Sequence, residues 1–132
     1  MMEKIRTFIA IPLPPEILKG IGALINEMRP LAPDVKWVRP ESIHLTLKFL
    51  GNLTPEELQK LFSGMDEVFR EQWGNFSLQA GGVGAFPNFR RPRVLWVGLR
   101  EPGMEELRKL QGRIEEKLAV QGFPKEERAF SP

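Results

Sequence analysis

His44, Thr46 and Lys48 alternate with Leu45, Leu47 and Phe49 in residues 43–50. In an extended strand alternate side chains share a face, so an imidazole, a hydroxyl and an ammonium stand on one side and three apolar groups on the other. A neutral imidazole, with an ordinary pKa of about 6.5, gives or takes a proton near neutral pH. The threonine hydroxyl two residues on is suited to holding a phosphate oxygen beside it. Two such pairs facing each other would set an acid and a base across a phosphodiester. One imidazole would activate the attacking hydroxyl or water and the other would protonate the departing oxygen. That chemistry needs no metal, and nearby Lys or Arg can stabilise the developing phosphoryl charge. The plainer reading of the same residues is a core histidine, a threonine chosen for strand propensity and a surface lysine. Arg90, Arg91 and Arg93, grouped around Pro92, are either a solvated loop or a phosphate or RNA contact.

The composition excludes several competing chemistries. The 132 residues contain no cysteine and one histidine, which removes thiol nucleophiles, Cys-based zinc sites and a His-rich metal cage. Neither a metal nor a cofactor is expected. With 42% hydrophobic and 27% charged residues and a net charge of +2, the chain suits one ordinary domain, and a phosphate-bearing partner is permitted but not required. No apolar run approaches the roughly 18–20 residues of a membrane span. The first residues lack a signal peptide's apolar stretch, so a cytoplasmic protein is expected. A monomer is expected as well. Gly82 and Gly84 belong to no P-loop pattern, and no G-x-S-x-G occurs.

The elements that must position these groups follow from periodicity and punctuation. Residues 5–11 predict a strand ended by Pro12-Leu13-Pro14-Pro15. From Pro15, the spacing of Ile17, Leu18, Ile21, Leu24, Ile25 and Met28 predicts a helix, with Pro30 and Pro33 beyond its end. Gly20 and Gly22 each weaken it by roughly 1 kcal/mol relative to alanine. Residues 35–38 and 43–50 read as extended, closed by Gly51-Asn52. Thr54-Pro55-Glu56-Glu57 predicts a capping box opening a helix whose apolar face is Leu58, Leu61, Phe62, Met65, Val68 and Phe69. Residues 76–86 predict a strand bent at its glycines, residues 87–92 a loop and residues 93–99 a strand. Met104, Leu107, Leu110, Ile114 and Leu118 mark a third helix that Gly122 stops at C′. Residues 127–132 begin something extended.

This order repeats itself. Strand, helix and the segment Arg39-Pro40-Glu41-Ser42-Ile43-His44 are followed by strand, helix and Arg128-Ala129-Phe130-Ser131-Pro132. The helix starts are offset by 88, and Arg39 and Arg128 by 89, which sets the counterpart of His44 at position 133, one beyond the 132 residues. A second His-x-Thr/Ser is expected to follow immediately.

His44-Leu45-Thr46-Leu47-Lys48-Phe49-Leu50-Gly51 strongly resembles the first His-x-Thr-x motif of the 2H phosphoesterases. The match is to their LigT-like branch of RNA 2′,3′-cyclic phosphodiesterases, also called 2′-5′ RNA ligases. Arg6-Thr7-Phe8-Ile9-Ala10-Ile11 is similar to that family's opening strand, and Trp37-Val38-Arg39-Pro40-Glu41-Ser42-Ile43 to its approach to the histidine. Gly82-Val83-Gly84-Ala85-Phe86-Pro87-Asn88 and Arg93-Val94-Leu95-Trp96-Val97-Gly98 resemble its middle section, and Arg128-Ala129-Phe130-Ser131-Pro132 the lead-in to its second motif.

The resemblance implies an α+β fold, a two-lobed pseudo-twofold duplication of βα units with antiparallel sheets around a central cleft. Residues 1–132 would form a single domain of this kind, incomplete at the C-terminus. It implies opening of a 2′,3′-cyclic phosphate to a 2′-phosphate, with 2′-5′ ligation as a related activity and RNA ends bearing the cyclic phosphate as partners. His44 and Thr46 would be catalytic, Arg128 and more weakly Lys48 would bind substrate, and no metal would take part. Two other readings stay open: a non-catalytic RNA-binding module, and a phosphodiesterase for a cyclic nucleotide or ADP-ribose derivative.

Overall fold

Residues 3–86, 88, 90 and 94–132 are described by a computed structural model. The order is β1 (Ile5–Pro12), α1 (Pro15–Met28), short 3-10 turns at Arg29–Leu31 and Pro40–Ser42, β2 (His44–Leu53), α2 (Pro55–Arg70), β3 (Gln79–Phe86), β4 (Val94–Arg100) and α3 (Met104–Val120). β1 pairs with β2, and β3 pairs antiparallel with β4. This is the α+β class expected. Contacts divide the chain into two compact units, Ala10–Thr46 and the remainder, which joins the residues up to Ile9 to Leu47–Pro132.

In the Ala10–Thr46 unit, α1 opens at Pro15 with Pro14 as its extended cap residue and buries Ile21 and Ile25. Gly22 sits against the turn that precedes the histidine, where a Cβ would come within 3.2 Å of Pro40 Cγ. The glycine that weakens the helix therefore permits a close approach. Residues 35–38 form no strand, contrary to the pattern. The Trp37 indole N–H instead donates to the Ala32 carbonyl at 3.3 Å and folds this segment back on itself.

The other unit is built on α2 and α3. Thr54 and Glu57 form the capping box reciprocally: the Thr54 backbone N–H donates to Glu57 Oε1 at 2.9 Å, and the Glu57 N–H donates to Thr54 Oγ1 at 3.2 Å. Leu61, Gly64 and Val68 are buried on α2, and Met104, Leu107, Ile114 and Leu118 on α3. Glu67 pairs with Lys117 and Glu71 with Arg113. Numbers rise along one helix as they fall along the other, so the two run antiparallel. α3 ends in a Schellman motif. The Gly122 N–H donates to Ala119 O and the Phe123 N–H to Leu118 O, with Gly122 at φ 97° and Phe123 buried.

Several boundaries and faces differ from the sequence pattern. Phe62 and Phe69 are more than half exposed, because each lies one residue, about 100° of helix rotation, past the buried Leu61 and Val68. β2 runs on through Gly51-Asn52 to Leu53, and β3 starts at Gln79 with its irregularity between Ala80 and Val83. Residues 127–132 take no regular structure. Pro87, Phe89, Arg91, Pro92 and Arg93, and with them most of the basic cluster, lie outside the described residues. The repeat has a single step of 89: β1 begins at Ile5 and β4 at Val94, α1 at Pro15 and α3 at Met104. Among the described residues no helix is long and apolar enough to cross a membrane.

Two glycines in this unit separate cleanly in a thermal-unfolding experiment. Gly112→Ala, in the α3 interior with open space around it, raises stability by about 0.5–1 kcal/mol. Gly103→Ala lowers it by more than about 1 kcal/mol, since φ is 91° and the new Cβ would run into the Ser77 carbonyl. The hydrogen bond from the Thr54 backbone N–H, then the one involving its side chain, holds the Glu57 carboxyl below its ordinary value. The stabilisation is therefore present above the unfolded-state pKa and fades as pH falls through the lowered one. An NMR titration of Glu57 reads this directly, and Thr54→Ala moves the midpoint up.

Candidate functional site

The approach to His44 is shaped by proline. Pro40 opens the 3-10 turn, the Ser42 and Ile43 N–H groups donate back to Arg39 and Pro40 carbonyls at 2.9 and 3.0 Å, and Ile43 returns to extended geometry. β2 then starts on the histidine itself. His44 is exposed, Leu45 is buried and Thr46 is half-buried. The pleat thus puts the imidazole and the hydroxyl on the face opposite Leu45, with Cα atoms roughly 6.5 Å apart. A core histidine is excluded by that exposure.

In the larger unit the alternation breaks. Lys48 is buried, its side chain 3% exposed, while Phe49 is 65% exposed and packs against Phe8 with ring centroids 6.1 Å apart. The Lys48 ammonium donates to both carboxylate oxygens of Glu115 and to the Pro124 carbonyl, each at 2.9 Å. Three donors meet three acceptors, so in this arrangement the Lys48 ammonium is engaged within the protein.

Glu115 gathers more than the lysine. Its Oε2 accepts the Glu126 backbone N–H at 3.2 Å, and its Oε1 accepts from Gln111 Nε2 at 3.5 Å. Gln111 also donates to the Leu47 carbonyl at 3.4 Å. β2, α3 and the segment after the Schellman turn are tied at one carboxylate. That segment carries Arg128, which is exposed and whose backbone N–H donates to Glu126 Oε1 at 3.3 Å. Lys48–Leu50 and Phe123–Arg128 border a groove of about 400 Å³, with both Lys48 and Arg128 in its lining.

Glu115 and Gln111 were not singled out by sequence pattern. The available signal was weak: two polar groups one turn apart, each following an apolar stripe position, Leu110 and Ile114. Among the described residues no group of three or more His, Cys, Asp or Glu is placed to hold a metal ion.

Comparison with known proteins agrees along most of the chain. The family model for LigT like Phosphoesterase matches residues 11–96. An RNA 2′,3′-cyclic phosphodiesterase of Archaeoglobus fulgidus is 36% identical over 118 residues, covering 89% of this chain and 64% of the relative. One from Methanothermobacter thermautotrophicus is 30% identical over 129 residues, covering 98% and 68%. The chain spans only 51% of the Aquifex aeolicus relative, at 35% identity over 74% of this chain. Among solved structures, E. coli LigT complexed with 3′-AMP superposes with a TM-score of 0.79 at 29% identity, covering 98% of this chain and 70% of that one. TT0787 of Thermus thermophilus gives 0.81 at 26% identity, covering 97% and 70%.

The buried ion pair makes a definite prediction. Glu115→Ala leaves the Lys48 ammonium buried without its counter-charge and costs about 3–5 kcal/mol, read by urea unfolding. The double variant Lys48→Met/Glu115→Leu recovers most of that loss. Equal losses in the single and double variants would show that the pair is not what holds this region.

Proposed function

The chain belongs to the LigT-like phosphoesterase family, and on that premise we propose that it serves the metal-free opening of RNA 2′,3′-cyclic phosphates to 2′-phosphates, with His44 as one proton-transfer group. The observation that carries this reading is the exposed His44 at the head of β2 with Thr46 on the same face. The reading is supported further by the name shared by the Archaeoglobus and Methanothermobacter relatives, RNA 2′,3′-cyclic phosphodiesterase.

The chemistry balances with two imidazoles. Water attacks phosphorus, the bond to O3′ breaks, one imidazole takes the proton from water and the other delivers one to O3′. A ribose 5′-hydroxyl in place of water yields a 2′-5′ linkage by the same steps. His44 supplies one of these two transfers, and the sequence holds no other histidine. Beside His44, the Thr46 hydroxyl donates to a phosphate oxygen. In the other unit the exposed Arg128 is a separate candidate phosphate contact, and Lys48 belongs to the Glu115 network that holds the Arg128 segment.

The test is turnover of an oligoribonucleotide ending in a 2′,3′-cyclic phosphate, followed by 31P NMR, with free imidazole added as a stand-in for the second proton carrier. His44→Ala lowers the rate about 10²–10⁴-fold, the product is the 2′-phosphate, and a chelator changes nothing. Turnover that survives His44→Ala overturns the acid–base role. RNA binding without turnover favours the binding-module reading instead, and opening of a cyclic nucleotide or ADP-ribose derivative in preference to RNA reassigns the substrate.

A further inference from the structure

From Gln72 to Arg100 the sequence carries four arginines and no aspartate or glutamate, in a chain whose net charge is only +2. That segment holds β3 and β4. Their register sets Phe86 opposite Val94 and Gly84 opposite Trp96, and alternation along β4 puts Val94, Trp96, Gly98 and Arg100 on one face. Leu95, Val97 and Leu99, on the other face, are half-buried.

The exposed face is unusually flat for a physical reason. The six-membered ring of Trp96 lies over Gly84, where no Cβ would fit, and its far edge passes within 3.2 Å of where a Cβ on Gly98 would be. A ring that covers two glycines lies along the sheet rather than standing off it, and Trp96 remains 49% exposed. The Arg100 side chain does the same one step on, its Nε 3.0 Å from a Cβ built on Gly81 and its terminal nitrogen 3.3 Å from one on Gly82. Among the described residues the Arg100 guanidinium enters no ion pair or hydrogen bond. Phe86, 65% exposed, extends the apolar surface beside Trp96.

We propose that this face of the β3–β4 sheet is a stacking platform for unpaired bases of single-stranded RNA, with the Trp96 ring and the Arg100 guanidinium each receiving a base. The choice of RNA rests on the phosphodiesterase reading above. The chemistry of the face favours it independently. Unpaired bases stack on aromatic rings and on guanidinium planes, and this mode tolerates any sequence because every base has a π-face. Four residues apart on a strand, their Cα atoms are roughly 13 Å apart along the chain, room for each group to receive its own base from an extended backbone. A carboxylate-free, arginine-rich segment attracts a polyanion and would leave its cations uncompensated under an apolar protein partner.

The experiment measures equilibrium binding of a labelled single-stranded tetraribonucleotide to the 132-residue chain, beside an abasic tetramer with the same phosphates. Trp96→Leu keeps an apolar group over the glycines and removes the ring. It should weaken the base-bearing strand roughly 5- to 150-fold and leave the abasic strand unchanged. Trp96→Phe should restore most of the loss. The proposal is overturned if wild type binds both tetramers equally, if Trp96→Leu weakens both alike, or if Trp96 proves necessary only for binding a protein. Should His44→Ala leave cyclic-phosphate opening intact while the base-dependent Trp96 effect persists, the phosphodiesterase reading falls and the platform stands. The opposite pair of results sinks the platform alone.

Discussion

One carboxylate organises the larger unit. Glu115 takes both of its lysine bonds from Lys48, accepts the Glu126 N–H and is touched by Gln111, which itself reaches the Leu47 carbonyl. A charge held at 3% exposure is tolerable only when every proton is matched. The match here draws on three separated stretches of chain.

The Schellman turn after α3 is what makes this closure reachable. Gly122 reverses the chain, Phe123 drops into the core, and Pro124 then offers its carbonyl to Lys48 while Glu126 offers its N–H to the same carboxylate. Arg128 follows two residues later. Its position is thus inherited from a helix cap and a buried salt bridge rather than from contacts of its own side chain.

Much of this was legible in the residues and some was not. Pro15, the Thr54–Glu57 box and Gly122 place helix ends by local chemistry, and these agree with the structure because caps depend on a few neighbouring residues. The His44–Thr46 face was legible for the same reason: period-two alternation is local. Alternation continues through Lys48 in sequence, whereas its burial depends on a carboxylate 67 residues away. Residues 35–38 look extended from their side chains, yet the Trp37–Ala32 bond folds them otherwise. Phe62 and Phe69 fall on the apolar stripe by count, but lying about 100° around the helix from Leu61 and Val68 leaves both more than half exposed.

The uniform 89-residue step invites a comparison of equivalent positions. Val94, Trp96, Gly98 and Arg100 correspond to Ile5, Thr7, Ile9 and Ile11. An aliphatic face with one small hydroxyl in the first copy is answered by an indole, a bare backbone and a cation in the second. Divergence at these four positions makes the two copies chemically distinct, so what one strand presents to its surroundings the other does not.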